Sequence, residues 1–82
     1  MTAREIKIAK KILDVLHGLD GGQAHALTIH ADCGGLNCCS SSEFDDVLRE
    51  LDARRYAIGI VTEFKGVLWS ISDLGENARR KM

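Results

Sequence analysis

Apolar residues change their spacing along the chain, and each change marks an element. From Thr2 to His17, Ile6, Ile8, Ala9, Ile12, Leu13, Val15 and Leu16 fall on one half of a helical cylinder. Arg4, Lys7, Lys10, Lys11, Asp14 and His17 occupy the other half. Thr2 and Glu5 have the spacing of a capping box, so a first helix is predicted over residues 2–17. Asp20-Gly21-Gly22 breaks it. The stretch QAHALTIHAD admits two periods. As a helix it places Ala24, Leu27 and Ala31 on a thin stripe, ended by Gly34; as a strand it alternates Leu27 and Ile29 with threonine and histidine. An extended piece near Gly22 to Ala24 would supply a third strand to any sheet.

Beyond the turn-forming Gly34, Gly35 and Asn37, the period of 3.6 returns. Ser40 and Glu43 form a second capping box, and Phe44, Val47, Leu48 and Leu51 make one apolar stripe. After Tyr56 the period becomes two. Ile58, Ile60, Thr62 and Phe64 point one way, and Ala57, Gly59, Val61 and Glu63 the other. Lys65-Gly66 is the expected turn, with Val67, Trp69 and Ile71 sharing a face on the return strand. Trp69 is expected to pack in the core. Ser72 then caps a last helix over Asp73–Met82, whose Arg79-Arg80-Lys81 opposes the negative end of its dipole.

The segments FDDVLRELDARRYAIGI and KGVLWSISDLG resemble the third helix, wing and closing junction of winged helix-turn-helix domains. The resemblance implies one α+β winged-helix domain over residues 1–82: a three-helix core, a hairpin wing and a short terminal helix. It also requires a helix in QAHALTIHAD. The function it implies is a small transcriptional regulator binding double-stranded DNA through the third helix and the wing. Carried onto this sequence, the DNA contacts would come from Ser41 and Ser42 at the helix start, Arg49 within it, Arg54 and Arg55 at its end, and Lys65 on the wing. The Cys33–Cys39 connection is longer than the three or four residues usual in such turns.

Charge changes this picture. Eleven Lys and Arg stand against twelve Asp and Glu, a net charge of −1, so any basic surface must be local. The outward side of the third helix carries Asp45, Asp46 and Glu50 with Glu43 at its edge, and Arg49 is its one base. These acids favour an alternative function, a winged helix used for contact with a protein partner or for homodimerisation.

His25, His30, Cys33, Cys38 and Cys39 supply metal-ligand types within fifteen residues, which raises a third reading as a metal or redox switch using His30, Cys33 and Cys38. The His-x2-Cys-x4-Cys-Cys spacing is not that of a structural zinc site, and free thiols without metal or cofactor are expected. No phosphate-binding glycine loop or acid pair marks an enzyme, and no small-molecule substrate is indicated. No apolar run reaches the roughly 20 residues a bilayer requires. The odd cysteine count fits a cytoplasmic protein.

Overall fold

The computed structural model describes residues 1–82 and contains four helices and one two-stranded antiparallel hairpin, an α+β arrangement. Helix α1 spans Ala3–His17, α2 Ala26–Asp32, α3 Ser41–Ala53 and α4 Asp73–Lys81. Strand β1 runs Ala57–Thr62 and β2 Gly66–Ile71. Both capping boxes form, at Thr2/Glu5 and Ser40/Glu43, and the Ser72 hydroxyl accepts from the Gly75 amide at the start of α4. Each satisfies a backbone donor that a helix start leaves free.

Helix α1 is the spine. Its Ile8, Ala9, Ile12, Leu13 and Leu16 pack with Ile29 of α2 and with Phe44, Val47, Leu48 and Leu51 of α3 in a single core that also takes in Cys33, Cys39 and Ala57. The stripe read for α3 is therefore the buried one. Two other faces differ from expectation. Ile6 lies at the edge of the α1 arc and is 42% exposed. In α2, Leu27 is 83% exposed and Ala31 is also exposed, whereas Ile29, His30 and Cys33 turn inward. The physical reason is the inward arc as a whole: it buries Ile29, Cys33 and His30, whose ring stacks on Phe44 with centroids 4.6 Å apart, and together these outweigh the burial of Leu27.

The hairpin turn also needs correction. Thr62 pairs with Gly66, so Glu63, Phe64 and Lys65 form the loop and Gly66 starts the return strand. Gly66 has φ 71°, the left-handed value that closes a three-residue hairpin loop. The Thr62 hydroxyl accepts from the Lys65 amide and donates to the Gly66 carbonyl, which locks the loop. The resulting register pairs Ala57 with Ile71, Gly59 with Trp69 and Val61 with Val67 on one face. Ile58, Ile60 and Leu68 share the other face. Trp69 is only partly buried, at the margin of the core. Its N–H and C=O both bond Ala24, at 2.8 and 3.1 Å, so the expected extended piece is present as a single bridge on the outer side of β2.

Ser72 joins three elements at the base of the hairpin. Its hydroxyl donates to the Arg55 carbonyl, and its amide bonds the Tyr56 carbonyl at 3.1 Å. Arg55 itself has φ 64°, in the left-handed turn that ends α3 and aims the chain into β1.

Candidate functional site

The residues predicted to touch DNA do not form one uniformly basic surface. Ser41 and Ser42 are exposed in the first turn of α3, while Ser40 carries the cap. Arg54 and Arg55 lie about 20 Å away, past the far end of this 13-residue helix. Arg54 is tied to Glu50 through Nε at 2.9 Å, the i,i+4 pairing its spacing allows. Lys65 is on the exposed hairpin loop. Arg49 borders a groove of about 310 Å³ between α3, the start of α2 and β2, lined by Ala26, Asp45, Leu48, Arg49, Val67 and Trp69. Its rim thus carries one acid and one base around apolar residues.

Of the eleven cationic side chains, Arg4, Lys10, Arg54 and Arg79 are held in ion pairs. Arg4 clasps Glu43 through both Nε and Nη2, joining α1 to the start of α3. The guanidinium, with the Ser40 amide, holds the Glu43 carboxyl down at about 2. Lys7 and Lys11 remain on the α1 face, beside a groove of about 280 Å³ that Cys38 also lines. Asp45 and Asp46 are exposed on α3 and carry no ion pair.

The fold gathers only part of the cysteine and histidine cluster, with Cys39 Sγ 3.8 Å from His30 Nε2. His30 is buried, with Nε2 2.9 Å from the Cys39 carbonyl oxygen and its ring on Phe44. Cys33 and Cys39 are core residues. Burial pushes the Cys33 thiol up to about 12; burial and then Cys38 push Cys39 up to about 11. Both changes disfavour the thiolate that a metal or an electrophile needs. Cys38 is half-buried, with its sulfur 4.0 Å from Lys11 Nζ. No three of the His, Cys, Asp or Glu side chains converge as a metal site would require, and all three thiols are free.

The surface that sequence reasoning passed over is apolar. On the hairpin Ile58 is 42% exposed, Ile60 45%, Val61 80%, Phe64 91% and Val67 38%. Glu63 and Lys65 in the loop are the only charged residues between Tyr56 and Ile71. The signal was present in the sequence: β1 is apolar at both parities, whereas a strand with one solvated face alternates. The inner face explains why. Ala57, Trp69 and Ile71 meet the helices and Val67 borders the α3 groove, but Val61 projects beyond it. No helix is long and apolar enough to cross a membrane. Comparison with protein-family models, with curated proteins and with solved structures finds no match to this chain.

Proposed function

We propose that the chain is a winged-helix module for protein contact, with the hairpin and the adjoining α3 groove as its binding surface. The observation that carries this reading is the run of exposed apolar side chains at Ile58, Ile60, Val61, Phe64 and Val67. Exposed apolar residues on both faces of one hairpin mark it as an interaction element, and Val67, on the face shared with Val61, continues into the mixed Asp45/Arg49 groove. A wing that tracks DNA offers cations instead. The reading assigns the chain no reaction, cofactor or metal.

Photo-crosslinking tests it. With p-benzoylphenylalanine replacing Phe64, a discrete protein adduct is expected in cells, and none with the same group replacing Leu36, which is also largely exposed but lies on the α2–α3 connection. Equal labelling at both positions would sink the reading.

The DNA-binding regulator is the second reading. It is supported by Arg49, Arg55 and Lys65, which are exposed and have no carboxylate partner, and by Ser41 and Ser42 at a helix start. Titration of random-sequence duplex at physiological salt separates the two. Protein contact predicts a Kd weaker than about 10⁻⁴ M, the upper end of non-specific binding. Submicromolar binding would favour DNA.

A further inference from the structure

We infer that the occupant of the hairpin is a second copy of this chain, added edge to edge along β1; the inference rests on the protein-contact reading. The sheet has two strands, and β1 is paired only with β2. Trp69 spends both backbone bonds on Ala24, so Gly59–Trp69 is a non-hydrogen-bonded pair within the hairpin. By alternation, Ile58, Ile60 and Thr62 turn their backbone groups toward β2. Gly59 and Val61 turn theirs to the outer edge, where neither takes part in any bond outside the hairpin.

Such an edge is normally blunted by a charge, a proline or a bulge. The AIGIVT strand has none of these, so two copies would meet without repulsion. The neighbouring Ala57 is fully buried, which confines pairing to the stretch beyond it. A two-fold axis at Ile60 then pairs Gly59 of each copy with Val61 of the other, through their free N–H and C=O groups. The side chains fit the same register. Gly59 and Val61 share a face, Gly59 is bare with the Trp69 ring over it, and Val61 is 80% exposed. Each Val61 would lie beside the other copy's Gly59 and against the edge of its Trp69, while the two Ile60 side chains meet on the opposite face.

The area sets the strength. This register brings Ile58, Ile60 and Val61 of each copy into the contact, while Phe64 lies on the loop beyond it and Val67 on the far strand β2. A contact confined to one strand edge stays below about 1,000 Å², the lower bound for a specific interface. The dimer is therefore expected to be weak, with a micromolar Kd.

Sedimentation equilibrium over a wide concentration range should show reversible monomer–dimer exchange. Val61→Pro removes an outward N–H that β2 does not use, which an edge strand tolerates, and should weaken the dimer at least tenfold with an unchanged circular dichroism spectrum. Leu36→Ser should leave it intact. In a background with Cys33, Cys38 and Cys39 changed to Ser, oxidised glutathione should couple Ile60→Cys chains across the axis, where Cα atoms about 4.5 Å apart suit a disulfide, faster than Ile58→Cys chains. A monomer at all concentrations, or faster coupling at position 58, overturns the inference. If the chain stays monomeric while position 64 still captures another protein, the second copy is excluded and the protein-contact reading stands. Loss of both results removes both.

Discussion

The ring of Trp69 lies across Gly59: a β-carbon added to that glycine would sit 3.0 Å from the ring. The indole covers the backbone of the neighbouring strand and fills the place a side chain would take. Gly59→Val should therefore displace the ring and cost about 1–3 kcal/mol in urea unfolding, with a change in tryptophan fluorescence. An unaltered emission spectrum would contradict this packing.

Gly75 is a harsher case. Its added β-carbon would fall 2.1 Å from the Tyr56 carbonyl oxygen and 2.8 Å from Ile71. Because one obstacle is backbone, it cannot rotate away. Gly75→Ala should destabilise by about 3 kcal/mol or more, although alanine is the better helix former at an unrestricted site. A gain in melting temperature would refute the close approach of α4 to the hairpin base.

The Arg4–Glu43 pair sets an acid-sensitive window. The Glu43 carboxyl is held at about 2 against an ordinary 4.5, so its contribution is fully present above pH 4.5 and is lost as pH falls toward 2. Glu5, lowered by its bonds with Thr2, and Asp14, lowered chiefly by Lys10, act in the same direction. Arg4→Met should lower the urea midpoint at neutral pH, and the gap from the parent should close as Glu43 is protonated. A gap that persists at pH 2 would assign the effect of Arg4 to packing.

Much of the architecture was legible because it is written in local spacing. Thr2/Glu5, Ser40/Glu43 and Ser72 mark three helix starts, and the α3 stripe is the buried one. The rotation of α2 was not legible, since it depends on what Ile29 and His30 meet across the core, including Phe44, fourteen positions beyond His30. The hairpin turn was misplaced by reading Lys65-Gly66 as a two-residue loop; Gly66 serves instead as the left-handed closure. Of the ion pairs, the Glu50–Arg54 tie on a candidate DNA contact could have been read from its i,i+4 spacing, whereas Arg4–Glu43 crosses 39 positions and could not.

The thiols should separate by burial. Iodoacetamide applied to the folded protein is expected to modify half-buried Cys38 first, leaving Cys33 and Cys39 protected until denaturant is added. Peptide mass mapping over time checks the order. Equal rates at all three would place Cys33 and Cys39 outside the core.

If DNA is bound, Arg55→Ala should flatten the salt slope by about one, and Arg54→Ala by less, because Glu50 already neutralises Arg54. Neutralising Asp45 and Asp46 together to Asn should tighten such binding. Equal slopes for the two arginine variants would mean that the Glu50 tie breaks on docking.

Ser72 gives the molecule an uneven map of local opening. Through it the end of α3, the root of the hairpin and the first turn of α4 are bonded to one another, so none can loosen without exposing donors and acceptors in the other two. Amide hydrogen exchange at Tyr56, Ser72 and Gly75 should therefore proceed at one shared, slow rate. The Glu63–Lys65 loop is held only by Thr62 and the ladder below it, and will exchange much faster. The hairpin is thus tied to α3 and α4 at its root and to Thr62 alone at its tip, and fixing the Phe64 side chain there is an entropic cost any occupant must offset.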